Sequence, residues 1–197
     1  MVQINSIDFQ NIDPKILAAA SALKEGKIIL IQTQTLWSLI CLLDDEKSIE
    51  RLLSFKRDNF HFNYECLVDS IELFKHYVPD LSPRVETLLS FHSRPLSILL
   101  TADHLPEQIR NLSSKIAFRM DNSLEIGTII QLVNQGLWAT SAFIGAEIKS
   151  NSFDSIDERA KTLADEIVEL KNSKNITGEE AVLVELDEED NLEFLRE

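Results

Sequence analysis

The chain has 197 residues, of which 44% are apolar, and its 33 Asp and Glu against 19 Lys and Arg give a formal net charge of −14. That apolar content can build a core, and only five Gly and five Pro argue against a collagenous or disordered chain. No apolar run approaches the ~18 residues of a membrane span, and the first residues are neither basic nor apolar. We therefore expect a cytoplasmic protein without a membrane segment, with residues 1–197 forming one domain.

The first elements in chain order are a helix and a strand. Asp13 and Pro14 are typical of an N-cap and a first helical residue, and Gly26 can end this helix in a left-handed conformation. The short apolar run Lys27–Gln32 predicts a strand that is covered on both faces. Residues 33–38 are predicted to be a polar connection, and a helix is predicted from Asp45 to Phe55.

Strands and helices alternate along the rest of the chain. Helices are predicted to begin at Ser82-Pro83, at Ser123 and at the capping-box pattern Ser155–Glu158, and Gly136 is predicted to close the second of them. The pattern predicts an α/β (α+β) layered domain with a mixed sheet. The remaining predicted strands are Tyr64–Asp69, Leu96–Thr101, Lys115–Met120, Leu137–Ala142, Asp165–Leu170 and Ala181–Leu186.

Charge is distributed unevenly. Residues 179–197 contain nine acids and one base, which is typical of a solvated face that favours solubility, and a tail for a basic partner is the alternative. Residues 51–119 contain nine bases and eight acids, so the charge that balances a bound anion would come from there. The whole chain lacks the basic stripe of a protein that coats nucleic acid.

The histidines and cysteines favour neither a metal site nor a disulfide. The histidines at positions 61, 76, 92 and 104 lack the spacing of a zinc or iron motif, so no metal ligands are predicted. Cys41 and Cys66 form no CxxC pair and are typical of buried free thiols in a reducing compartment.

The first candidate ligand-binding residues follow the strand that ends at Gln32. Thr33 and Thr35 lie where layered α/β folds present ligand-binding loops, and their spacing would point both hydroxyls the same way if the strand continued. An ordinary strand end with β-branched residues explains the same pattern.

Cations and hydroxyls elsewhere supply further candidates. Lys56 and Arg57 follow a helix, where they would bind phosphate or stabilise the helix end. Arg119 lies in an apolar strand and needs an anionic partner, which is either an Asp or Glu or a ligand. Thr140 and Ser141 end another strand, where they would bind a ligand or cap the turn.

In their order and spacing, these segments resemble the YrdC/YciO family, whose best-known members are threonylcarbamoyl-adenylate synthases. Gln32–Leu39 matches the family's Pro-Thr-Glu-Thr-Val-Tyr-Gly-Leu segment, Lys56 its lysine, and Arg119 its arginine-containing strand. Ser93–Ser97 is similar to its Pro-Gly-Pro-x-Thr strand, and residues 140–143 to its Thr-Ser-Ala-Asn turn.

The resemblance implies an open twisted sheet flanked by helices, with a concave cavity. It also implies ATP, L-threonine, bicarbonate and Mg²⁺ as ligands, and the synthesis of threonylcarbamoyl-AMP for tRNA adenosine modification. Double-stranded RNA is a further partner of some members.

The resemblance assigns roles to residues of this chain. Lys56 and Arg119 are the catalytic candidates and, with Arg57, would hold phosphates. These cations and the hydroxyls would converge on one electropositive hollow. The remaining assignments are Thr33, Thr35 and Trp37 to the substrate, and Thr140 and Ser141 to the nucleotide.

Departures from the family pattern keep three hypotheses open. Gln34 replaces an acid, Asp58 stands where an Arg belongs unless Arg57 takes its place by a local shift, and Phe143 replaces an Asn. The stretch at residues 62–66 is more similar to the YciO branch. The chain is therefore an active synthase, a YciO-like module that binds a nucleotide or duplex RNA without synthesis, or an interaction protein with Trp37 and Phe143 filling the cavity.

Overall fold

A mixed β-sheet forms the centre of the molecule in a computed structural model, which describes residues 12–56, 64–101, 103–143, 152–170, 177–187 and 191–196. The strands within those residues are β1 (Ile29–Gln32), β2 (Trp37–Leu42), β3 (Tyr64–Val68), β4 (Leu96–Leu100), β5 (Ile116–Met120), β6 (Leu137–Ser141), β7 (Glu166–Val168), β8 (Val182–Leu186) and β9 (Leu192–Arg196). The helices are α1 (Pro14–Lys24), α2 (Glu46–Leu53), α3 (Ile71–Tyr77), α4 (Pro83–Phe91), α5 (Glu107–Arg110), α6 (Leu124–Val133) and α7 (Glu158–Leu163), with 3₁₀ turns at Ser54–Lys56 and Phe153–Ser155.

The described strands form one sheet in the order β7-β1-β2-β6-β3-β5-β4-β8-β9. The pairs β1–β7, β3–β5 and β4–β8 are parallel, and the other neighbours are antiparallel. This topology confirms the predicted α/β fold with an open mixed sheet flanked by helices. None of the helices in the described ranges has the length and hydropathy that a bilayer crossing requires.

The two faces of the sheet are covered differently. Helices α2, α3, α4 and α5 pack on the first face and build the larger core there. On the second face, the apolar cluster under α1 and α6 takes its strand residues from β7, β1, β2 and β6, which we call the covered half, and from Leu67 of β3. Apart from Leu67, the described residues on the same face of β3, β5, β4 and β8, which we call the polar half, form a small apolar cluster of Leu99, Ala117 and Leu183.

Local sequence signals explain most helix ends. The side chain of Asp13 accepts a hydrogen bond from the Lys15 N–H at the start of α1, and Gly26 follows the helix with φ +76°, as predicted. Ser123 caps α6, but the helix ends at Asn134, with φ +58°, and not at Gly136. A Cβ at Gly136 would lie 3.2 Å from the Leu67 carbonyl oxygen, so this glycine is needed for a close approach of backbones.

Two sequence predictions in this part of the fold were wrong. The polar connection is only residues 33–36, because Trp37 and Ser38 already belong to β2, whose residues are all buried. The capping box at Ser155 is also wrong, because Asp157 caps α7 and Ser155 lies in a 3₁₀ turn. The strand β9 and the short helices α3 and α5 were not predicted.

Candidate ligand cavity

The turn between β1 and β2 places one of the two predicted threonines at a cavity. The Thr33 N–H and hydroxyl both donate to the Leu36 carbonyl, at 3.0 Å each, so Thr33 holds the turn together. The Thr33 and Thr35 hydroxyl oxygens lie 3.1 Å apart, and Thr35 lines the cavity. Thr33 therefore positions Thr35 and is itself fully buried.

The cavity lies over the polar half, at the ends of β2 and β6. The cavity is partly open to solvent: about 460 Å³ of empty space, open solvent included, lies between its walls, and the room it leaves for water molecules is about 30 Å³. Hydroxyls dominate the polar lining, and two carboxylates and one guanidinium complete it. The lining residues are Thr35, Leu36, Ser38, Tyr64, Glu65, Ser97, Ala117, Thr140, Ser141, Glu180, Ala181, Leu183 and Arg196.

Arg119 takes carboxylates as its anionic partners. Its Nε and Nη2 donate to Glu65 Oε1 at 3.0 and 2.8 Å, and its Nη1 donates to Asp121 Oδ2 at 2.7 Å. The side chain of Arg119 has no exposed surface, so Glu65 stands between this guanidinium and the cavity. The sequence left open whether the anionic partner of Arg119 is an acidic residue or a ligand. In the structure, its partners are the acidic residues Glu65 and Asp121.

The two carboxylates are themselves held in place. The Ser97 hydroxyl donates to Glu65 Oε2 at 2.8 Å, and the Ser123 N–H donates to Asp121 Oδ1 at 2.9 Å. The Gln34 N–H reaches Asp121 Oδ2 at 3.3 Å, which ties the threonine-bearing turn to the same network. One network therefore connects β3, β4, β5, the start of α6 and the β1–β2 turn.

The charges in this network shift the pKa values of Glu65 and Arg119. Burial alone would raise the pKa of the Glu65 carboxyl, but the charge and hydrogen bonds of Arg119 and the bond from Ser97 outweigh it and hold the pKa below its usual range. Burial disfavours the charged form of Arg119, yet Glu65 and Asp121 raise its pKa above the ordinary value. Glu65 and Arg119 are therefore both ionised at neutral pH.

The balance of charge at the cavity is negative. Glu65 and Asp121 against Arg119 leave one net negative charge, and Glu180 and Arg196 balance each other at 3.6 Å. The described residues therefore do not supply the positive charge of the expected electropositive hollow, and the side chains of Lys56 and Arg57 lie outside them. The physical reason is that buried carboxylates on neighbouring strands already neutralise the buried cation.

A segment of residues 177–181 closes one side of the cavity. The Thr177 N–H donates to the Gln34 carbonyl at 2.9 Å, and the Gly178 N–H donates to the Thr35 carbonyl at 3.1 Å. Glu180 and Ala181 line the cavity, and Arg196 Nε donates to the Ala181 carbonyl at 2.9 Å. This closing segment is bound to the same turn that carries Thr35.

Of the other predicted site residues, some lie at the cavity and others do not. Thr140 and Ser141 line the cavity beside Thr35. Trp37 is outside the lining and packs edge-on against Phe153, with the ring centroids 5.3 Å apart. The side chain of Lys56, which ends a 3₁₀ turn, and the whole of Arg57 lie outside what the structure describes.

The sequence reasoning missed the residues that set the charge of the cavity. Glu65, Ser97 and Asp121 were not among the candidates, although Glu65 is the one acid in the apolar strand β3. An acid in one apolar strand and an arginine in another are a signal for a buried pair, since neither is stable alone in a core. Asp58, a departure noted in the sequence, lies outside the described residues.

Among the described residues, the groups around the cavity do not fit ATP or a resident metal ion. A triphosphate would face the carboxylates of Glu65 and Glu180, and the lining guanidinium of Arg196 already lies 3.6 Å from Glu180. Within the described ranges, no three or more His, Cys, Asp or Glu side chains cluster in a way that could hold a metal ion.

Comparison with known proteins identifies the family of this chain. The family model Sua5_yciO_yrdC, described as "Telomere recombination", matches residues 21–197. The chain belongs to the Sua5/YciO/YrdC family. The family resemblance found in the sequence motifs is thereby confirmed.

Named relatives are distant in sequence. A threonylcarbamoyl-AMP synthase of Pseudoalteromonas translucida is 24% identical over 156 residues, which are 77% of this chain and 82% of the relative. A threonylcarbamoyl-AMP synthase of Chromobacterium violaceum is 27% identical over 126 residues, 63% of this chain and 65% of the relative.

Solved structures share the fold of this chain. P. abyssi Sua5 in complex with L-threonine has a TM-score of 0.74 at 22% identity, over 87% of this chain and 50% of that chain. E. coli YciO has a TM-score of 0.73 at 15% identity, over 92% of this chain and 88% of that chain. The chain thus spans half the length of the Sua5 protein and most of the length of YciO.

Proposed function

We propose that this protein is a ligand-binding member of the family that does not make threonylcarbamoyl-AMP. Its relatives support a role connected with tRNA modification, and within that role we infer binding rather than ATP-dependent synthesis. The observation that carries the proposal is the commitment of Arg119 to Glu65 and Asp121.

The chemistry of adenylation makes this commitment decisive. Charge develops on the transferring phosphoryl group and the leaving pyrophosphate, so a synthase needs cations that are free to stabilise both. A phosphate could reach Arg119 only by displacing Glu65, whose carboxylate would then be buried without its partner. Breaking a buried ion pair costs about 3–5 kcal/mol, or roughly two to four orders of magnitude in affinity.

The remaining lining supports a small polar ligand. Thr35, Ser38, Thr140 and Ser141 offer hydroxyls that donate or accept hydrogen bonds without demanding a charge. Double-stranded RNA fits the protein poorly, because a net charge of −14 opposes binding to a phosphate backbone. We therefore favour a small uncharged or cationic ligand over ATP, Mg²⁺-phosphate complexes, bicarbonate or RNA.

A pyrophosphate-release assay tests the proposal. The purified protein is incubated with ATP, MgCl₂, L-threonine and bicarbonate, and the threonylcarbamoyl-AMP synthase of P. translucida serves as the positive control. We expect pyrophosphate release from the control and none above background from this protein. Release that depends on both threonine and bicarbonate, and that disappears in Arg119→Ala, would show that the protein is a synthase.

A further inference from the structure

We propose that Glu65 determines the ligand class of the cavity by occupying the anion position of Arg119. The cavity then accepts neutral or cationic groups and excludes anions, and removing the Glu65 side chain converts it into an anion site. This inference rests on the proposed function, because the carboxylate of Glu65 would be the group that keeps phosphates out of the cavity.

The position of Glu65 in the sheet gives its carboxylate room above the strands. Its cross-strand partners are Ala117 on β5 and Ala139 on β6, so small side chains flank it on both sides. The side chain of Glu65 keeps 19% of its surface exposed, whereas Arg119 keeps none. An incoming group therefore meets the carboxylate and never the guanidinium.

The donors around Glu65 form a ready anion cradle. Arg119 presents Nε and Nη2 to one carboxylate oxygen, and the Ser97 hydroxyl donates to the other. This side of a guanidinium is the one that binds carboxylate and phosphate oxygens in two-point contacts. In Glu65→Ala, the Cγ, the Cδ and both oxygens are gone, and the three donors would surround a space that opens into the cavity.

Asp121 keeps the cradle in place when Glu65 is removed. It binds Nη1 of Arg119, and the Ser123 N–H holds its other oxygen, so one arm of the guanidinium stays anchored. The Arg119–Asp121 pair would be neutral overall. An added anion would then restore the charge that Glu65 supplies in the natural protein.

Anion-dependent thermal unfolding tests the inference. The unfolding midpoint of each variant is measured while chloride is replaced by acetate, phosphate or pyrophosphate at constant ionic strength. The wild-type midpoint should change only by the non-saturating salt effect that all variants share. Glu65→Ala should unfold at a lower temperature in chloride and gain about 5 °C, saturably, with at least one of the other anions.

A matched variant shows whether an anion response requires the space left by the Glu65 side chain or only the loss of its charge. Glu65→Gln keeps an amide of the same size in the cradle, so it should show no saturable anion response. Glu65→Ser provides the smaller side chain if Glu65→Ala does not fold. If neither Glu65→Ala nor Glu65→Ser refolds fully in chloride, their refolding yields in acetate and in chloride are compared. A higher yield in acetate supports the inference, and an equal yield refutes it.

The contrary results are distinct from those that test the proposed function. If Glu65→Ala and Glu65→Ser respond to anions no more than wild type or Glu65→Gln, Glu65 does not occupy an anion position. A saturable response of the wild type would also overturn the inference. Pyrophosphate release by the wild type would instead contradict the proposed function, whatever the variants bind.

Discussion

Two halves of the same sheet face bury their residues in opposite ways. In the covered half, α1 and α6 pack apolar side chains such as Leu23 and Ile129 against Ile29, Ile31 and Ile40. In the polar half, no helix of the described residues contributes to the apolar cluster, and the sheet buries Arg119 with Glu65 and Asp121. Whether a half of this sheet face is an apolar core or the wall of a polar cavity therefore depends on whether helices cover it.

The two halves also differ in what they contribute to the protein. Apolar burial stabilises the covered half in proportion to the area removed from water and is insensitive to pH. A buried ion network adds little net stability, because desolvation of the charges offsets their attraction, but it is costly to leave incomplete. The polar half should therefore be the more vulnerable to loss of one partner and to acid.

The largest expected effect is that of Arg119→Met. The substitution leaves Glu65 and Asp121 buried without their cation, and we expect the free energy of unfolding to fall by about 3–5 kcal/mol. Urea unfolding followed by circular dichroism measures the loss. In the Glu65→Gln background, the same change should cost less, since one unpaired carboxylate is already gone. Additive costs in the double variant would contradict the coupling of these residues.

A smaller loss is expected from Leu23→Ala in the covered half. Leu23 is fully buried between α1, α6 and the sheet, and truncating such a leucine costs about 3 kcal/mol through lost burial and a residual cavity. The cost should be the same at about pH 8 and about pH 5, because no ionised group is involved. A strong pH dependence of this cost would remove the distinction between the two halves.

The smallest expected effect is the pH dependence of the Glu65 contribution. Arg119 and Ser97 outweigh burial and lower the pKa of Glu65 from an ordinary value of 4.5, so the folded state holds this carboxyl in its charged form. Its stabilising contribution is complete above that value and is lost as the pH falls through the lower pKa of the folded state.

Comparison with Glu65→Gln isolates this contribution. The difference in unfolding free energy between wild type and Glu65→Gln should be largest at about pH 6 and should shrink as the pH is lowered to about 3. Urea unfolding across this range measures it. A difference that stayed constant or grew in acid would mean that the Glu65 pKa is not lowered by folding.

Local signals were sufficient for much of the fold. Asp13, Pro14 and Gly26 define α1 through caps that act within a few residues, and the apolar runs predicted seven of the strands. Trp37–Leu42 was missed because Ser38 interrupts its apolar run directly after the polar residues of the turn, although every residue of the strand is buried. The edge strand β9 was missed as well, and it lies in an acidic segment that was expected to be a solvated face.

For the cavity, the sequence proposed hydroxyls at strand ends, with ordinary strand ends and turn caps as the alternatives; Thr35, Thr140 and Ser141 line it, whereas Thr33 and Trp37 do not. The sequence alone determined that Arg119 needs an anion. Only the tertiary structure decided which anion, because Glu65 and Asp121 meet Arg119 through the pairing of β3 with β5 and the turn into α6. Charge compensation depends on distance in space, and the register of neighbouring strands sets that distance.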